Sequence, residues 1–184
     1  VKSMQDSLLE TFGLKGTLFQ QYINFLKRAI RWDFGPSLSV FPTPVNQLIK
    51  QSLPWTIGLL LTTTIISWIV GNLIGLVAGY KDNKLSKALE ALAIIVYPIP
   101  YYIMALILIL LFVYLLPLFP MSVGGYSIGM KPSFSLRFIL SVLQNSFLPA
   151  LSMIIVGYGW WFISMKALTA TIKDSDYVFF ARAK

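Results

Sequence analysis

Three stretches of this chain, residues 54–79, 91–117 and 148–165, run for at least 18 residues without a charged side chain. A bilayer's hydrocarbon core is about 30 Å thick, and a helix rising about 1.5 Å per residue needs about 20 residues to cross it. A lysine or aspartate held at mid-bilayer costs several kcal/mol, so spanning segments exclude them. The stretches therefore predict an integral membrane protein with three crossings, over 54–79, 91–117 and 148–168. Hydrophobic residues make up 57% of the chain and charged residues 12%, about half the charged share of soluble domains. A soluble bundle is thereby nearly excluded.

The net charge is +8, with no histidine and no cysteine. Thiol chemistry is excluded, and a transition-metal site would lack both thiolate and imidazole donors. No paired carboxylates, Ser/His/Asp set or lysine-bearing glycine loop points to catalysis. The expectation is no enzyme, no cofactor and no metal. The basic residues are scattered between apolar spans, which suits lipid headgroups and topology rather than nucleic acid.

Residues 1–53 read as a polar and amphipathic segment. Phe19, Tyr22, Ile23, Phe25, Leu26 and Ile30 recur at helical spacing around Lys27, Arg28 and Arg31. Two readings stay open for this helix, one lying on the bilayer surface and one packed on its own protein. In the first span, Gly71, Gly75 and Gly79 recur every four residues on one face, a spacing that lets helix backbones approach closely in lipid. Asn72 is the polar residue there best suited to a cavity or interhelical contact.

The second span, 91–117, is interrupted by Tyr97-Pro98-Ile99-Pro100-Tyr101-Tyr102. Each proline lacks a backbone donor and clashes with the preceding turn. The stretch reads either as a kinked packing helix or as a hinge lining a cavity, since broken backbone at membrane depth needs protein or water around it. Residues 118–147 form a loop. In the tail 169–184, Asp174 or Asp176 is placed to cap a new helix. Lys81, Lys84 and Lys87 in the 80–90 turn, with Lys166, Lys173, Arg182 and Lys184 at the tail, place both segments in the cytoplasm. Residues 1–53 and 118–147 then lie outside. The missing initiating methionine and the abrupt end read as a segment of a longer chain.

At the tail, Asp176-Tyr177-Val178-Phe179-Phe180-Ala181-Arg182-Ala183-Lys184 resembles the start of the coupling segment of inner-membrane permeases of binding-protein-dependent ABC importers. The likeness is closest to the peptide/oligopeptide/nickel branch, whose usual form is DYVxxARAK-Gly. Asp33-Phe34-Gly35-Pro36-Ser37, Pro44-Val45 with Ile49, and Leu53-Pro54 with Thr56 resemble further motifs of that branch, as does the YPIPYY stretch. The resemblance runs from about residue 28 to the end.

It implies an all-α polytopic membrane protein, here a fragment with three transmembrane helices of a six-span permease in a prokaryotic inner membrane. It also implies a second permease subunit, two ATP-binding subunits that hydrolyse ATP, and an extracytoplasmic solute-binding protein. Asp176, Tyr177, Phe180, Ala181, Arg182 and Lys184 would contact the ATPase. Tyr97, Pro98 and Pro100, with Asn72, would border the pathway. The wider importer pattern has Glu-Ala-Ala where this chain has Phe179, Phe180 and Ala181, so contacts of that glutamate do not carry over. Cargo would be peptides, with oligosaccharides or nickel as alternatives. A secondary transporter or channel would need charges within the spans, and a structural subunit would need spans without proline bends.

Overall fold

A computed structural model describes residue 9 and residues 11–81, 83–120, 125–127 and 129–183. Among the described residues six longer α-helices follow one another: α1 (Leu18–Ile30), α2 (Val45–Lys81), α3 (Lys84–Val96), α4 (Tyr101–Ile109), α5 (Leu136–Lys173) and α6 (Asp176–Ala183). A π-helical segment, Leu110–Leu115, continues α4. Among the described residues the only extended pairing is a single bridge between Pro36 and Pro44. The chain forms two compact units, Val1–Ile57 and Gly58–Lys184.

In the first unit, Thr17 opens α1 with reciprocal bonds to Gln20: its hydroxyl accepts from the Gln20 N–H, and its own N–H donates to Gln20 Oε1. Two free amide donors of the first turn are thereby satisfied. Arg28 reaches back from the last turn and holds both carboxylate oxygens of Asp33, at 3.0 and 3.2 Å. That pairing, with the Gly35 N–H donated to the same carboxylate, keeps the Asp33 carboxyl below the usual carboxylate range. Gly35 has φ +73°, and a Cβ there would stand 2.8 Å from the Arg28 guanidinium. The loop then closes: Ser37 donates to the Thr43 carbonyl, and Val45 to that of Gly35.

Helix α2 begins at Val45, so Pro54 stands inside it rather than opening it, as the sequence suggests. The carbonyl that Pro54 leaves unpartnered belongs to exposed Lys50, where water can serve it. In the second unit, α5 begins at Leu136, twelve residues before the expected span, with Pro149 within it. Ser135 caps it by accepting from the Phe138 N–H. Asn145 and Ser146 read as loop residues, yet their side chains donate to the Ser141 and Val142 carbonyls of the same helix, at 2.7 and 2.6 Å. Thr169 and Thr171 do the same near its end, and α5 runs on to Lys173. The expected 80–90 turn narrows because Asn83 caps α3 by accepting from the Ser86 N–H.

The largest departure is in the span expected over 91–117. The sequence leaves a kinked packing helix and a hinge lining a cavity both open, and in the structure α3 and α4 are separate helices set at 104° to each other. Two prolines within three residues remove too many donors for a kink. The Tyr97 N–H still reaches Ala93, and the Pro100 carbonyl receives the Ile103 and Met104 amides that begin α4. Helices α2 and α5 are each long and apolar enough to cross a membrane, and the bent pair supplies a third crossing if it counts as one. The core comprises two clusters. Val96, Met104, Leu108, Leu148 and Val156 form one, and Ala78, Ala93, Tyr158 and Phe162 the other.

Candidate functional site

Helix α5 is the element against which α2, α3 and α4 pack, and glycines set how closely α2 and α3 approach it. A Cβ at Gly71 would stand 2.6 Å from the Trp161 Cβ, one at Gly75 2.7 Å from the Phe162 carbonyl oxygen, and one at Gly79 2.7 Å from that of Lys166. The three glycines thus form a seam against a single face of α5. On the other side, a Cβ at Gly159 would stand 2.8 Å from the Tyr97 Cβ and 3.0 Å from the Ala93 carbonyl. The Tyr158 hydroxyl donates to the Leu89 carbonyl at 3.0 Å, fastening α5 to α3.

The break between α3 and α4 opens a cavity of about 450 Å³, lined from α2, the break and α5. Tyr97, Tyr101, Trp160 and Trp161 supply aromatic walls. Leu60, Thr63, Thr64, Ser67, Met153, Val156 and Gly157 supply the rest. The Thr63 and Ser67 hydroxyls donate to carbonyls of their own helix, at 2.8 and 2.6 Å. No carboxylate, ammonium or guanidinium lines the cavity. It can receive apolar and aromatic groups by burial and stacking, and the titratable groups in its lining are the phenols of Tyr97 and Tyr101. Tyr97 belongs to the lining, and Pro98 and Pro100 make the break that opens it. Asn72 does not line it; its amide donates to the Trp68 carbonyl at 2.7 Å. Tyr102 is not among the lining residues and is exposed.

A second cavity, of about 340 Å³, lies between the later turns of α5 and residues of α2 and α3; Gly79, Glu90, Lys166, Lys173 and Asp174 line it. Here the structure brings together a pair that sequence reasoning missed. Lys166 donates to Glu90 at 2.5 Å, and its side chain is only 13% exposed. The available signal was that Glu90 is the sole acidic residue between Asp82 and Asp174. Breaking such a pair from one side leaves the other charge poorly solvated. Glu90→Gln is therefore expected to lower the melting temperature of the detergent-solubilised permease. A lost buried partner costs about 1–3 kcal/mol. Adding Lys166→Met should recover most of the loss, because no stranded ammonium then remains. Equal melting of the wild type and Glu90→Gln would show the pair to be idle.

Beyond Asp174, which closes α5 rather than capping a new helix, α6 begins at Asp176. The acid lies in the first turn, where a negative charge favours the helix dipole. Phe179 and Phe180 are 72% and 70% exposed and Ala181 is exposed, so the helix carries uncovered apolar surface. Tyr177 and Arg182 belong to α6 by backbone, and Lys184 lies outside the described residues. Among the described residues no group of three or more acidic residues, histidines or cysteines could hold a metal ion.

Comparison with known proteins adds a lineage to this geometry. The family described as "binding-protein-dependent transport system inner membrane component" matches residues 71–184. The dipeptide transport system permease protein DppB of Bacillus subtilis is 34% identical over 65% of this chain and 39% of its own length. The inner membrane ABC transporter permease protein YejB of Escherichia coli O157:H7 is 32% identical over 94% of this chain and 48% of its own. The oligopeptide transport system permease protein AppB of B. subtilis is 26% identical over 98% of this chain and 55% of its own. The chain thus spans about half the length of the curated relatives it matches.

Proposed function

The chain belongs to the family of binding-protein-dependent transport system inner membrane components, and from that membership we propose that it supplies part of the pathway through which an ATP-driven importer takes up peptides. The observation that carries this reading is the uncharged, aromatic-walled cavity at the break between α3 and α4. A pathway for peptides of varied sequence needs surfaces that tolerate many side chains. Aromatic walls and hydroxyls already bonded to their own helix offer contact without demanding a partner charge. Peptides are preferred to nickel or oligosaccharides because the named relatives DppB and AppB are peptide permeases.

A secondary transporter is disfavoured because, among the described residues, the charges set between the helices, Glu90 and Lys166, are already paired with each other. ATP would be hydrolysed by separate subunits seated on α6, and a second permease and a solute-binding protein would complete the importer. Residues 80–90 and 169–184 would face the cytoplasm, and 1–53 and 118–147 the outside.

These 184 residues contain no cysteine, and with any cysteine of the rest of the complex replaced by serine one introduced thiol reports cleanly. Thr64 is exposed in the cavity wall. In the full-length permease, reconstituted with its partner subunits, Thr64→Cys is expected to transport normally until a bulky thiol reagent is added, and then to lose at least tenfold in peptide uptake. Peptide cargo should slow the labelling. Phe134→Cys, at a fully exposed loop position, should be labelled without loss. Undiminished uptake by fully labelled Thr64→Cys would place the pathway elsewhere.

A further inference from the structure

Helix α1 separates its residues by polarity without exception. At about 100° per residue, its eight apolar residues, among them Phe19, Tyr22, Leu26 and Ile30, share an arc of about 160°. All five polar residues, Gln20, Gln21, Asn24, Lys27 and Arg28, fall in the opposite arc. None of its residues is buried; Leu18 is 84% exposed, Phe19 73% and Ile30 82%. The helix contains no acidic residue, and Arg31 and Trp32 follow it directly.

The local fold limits where this face can go. Gly35 lies five residues beyond Ile30, a reach of at most about 18 Å. The Gly35 carbonyl bonds to the N–H of Val45, the first residue of α2, at 3.0 Å. The end of α1 is thereby tethered within about 20 Å of the start of a helix long and apolar enough to cross the bilayer. That helix has 37 residues, about 55 Å of length, against a core of about 30 Å. Its first turns, which include Asn46, Gln47 and Lys50, must therefore emerge at the headgroups. A cationic helix with an apolar half, tethered at that level, has the lipid surface beside it.

We infer that α1 lies in the plane of the membrane surface, with Phe19, Tyr22, Leu26 and Ile30 sunk into the acyl boundary and Lys27 and Arg31 among lipid phosphates. This is the geometry in which such a helix gains most from both burial and charge. It does not depend on what the importer carries.

The test uses the full-length permease in liposomes containing brominated phospholipids, with a polarity-sensitive fluorophore on single cysteines. Phe19→Cys and Ile30→Cys should show blue-shifted emission, quenched at least threefold more strongly than that of Gln20→Cys and Asn24→Cys. All four positions are exposed, so the substitutions leave the fold alone. Water-like emission at all four would overturn the inference. Blue-shifted but unquenched emission at positions 19 and 30 would also overturn it, because a protein surface and not lipid would then cover the face. Peptide uptake by the wild type measures the transport reading separately.

Discussion

Gly75→Leu is expected to abolish assembly of the permease, with no stable complex recovered from membranes and no transport. The reason is the identity of the obstructing atoms. A Cβ at Gly75 would stand 2.7 Å from the Phe162 carbonyl oxygen, 3.0 Å from the Met165 Cβ and 3.2 Å from the Phe162 Cα. A flexible side-chain end could swing aside, but the backbone of α5 cannot do so without moving the helix. Overpacking of an ordinary core costs about 1–3 kcal/mol; leucine here adds three further carbons against a backbone that does not yield.

In lipid no hydrophobic force between helices pushes them back together. Once α2 and α5 part at Gly75, the neighbouring contacts at Gly71 and Gly79 open as well. Gly58→Leu is the matched control. It lies in the same helix, but a Cβ there meets nothing within 4 Å. It should assemble and transport as the wild type does. The measurement is the yield of monodisperse permease complex after detergent extraction, with peptide uptake in vesicles alongside. Equal yields for the two variants would mean that the seam does not hold the helices.

The uncharged stretches make the membrane class legible from residues alone, because exclusion of charge from hydrocarbon is a one-body property. The glycine spacing is legible for the same reason: a repeat of four on one helix names a face without naming its partner. Where the helices end is harder to read. Asn145, Ser146, Thr169 and Thr171 look like loop residues by type, yet each donates to a carbonyl of its own helix. Polarity at those positions therefore marks self-satisfied side chains and not helix ends.

The proline pair signals a break, but its 104° angle depends on packing against α5 through Gly159 and Tyr97. The cavity needs α2, the break and α5 at once, which no local pattern encodes. Asn72 shows the opposite error: an amide in a span invites a partner, and Asn72 finds one in its own helix. Glu90 and Lys166 escape a reading by spans, because each lies beside an uncharged stretch and 76 residues separate them.

Phe180→Asp and Ala181→Glu in the full-length permease are each expected to uncouple the importer, with loss of substrate-stimulated ATP hydrolysis and of the ATPase that co-purifies. The argument starts from surface. Phe179 and Phe180 stand 72% and 70% exposed on α6, which begins at Asp176, just beyond the Lys173 end of a helix able to span the membrane. An aromatic pair left in water forfeits about 1.5–3 kcal/mol of burial per side chain, and a groove in a partner recovers it.

Helical spacing puts Tyr177, Phe180 and Ala181 on one side of α6, since residues three and four apart share a face. Ala181, small and exposed, permits close seating there, and a glutamate would bring both bulk and an unpaired charge into the contact. Truncating one central anchor of such an interface costs 2 kcal/mol or more, roughly thirtyfold in affinity. Phe179→Asp, on a different side of the helix, should have the smaller effect. Basal ATP hydrolysis by the isolated ATPase should not change, because the substitution leaves that subunit untouched. If Phe180→Asp and Ala181→Glu both retain stimulated hydrolysis and the bound ATPase, α6 is not the coupling contact. Its aromatic pair would then belong on the lipid surface, where brominated lipids would quench a fluorophore at position 180.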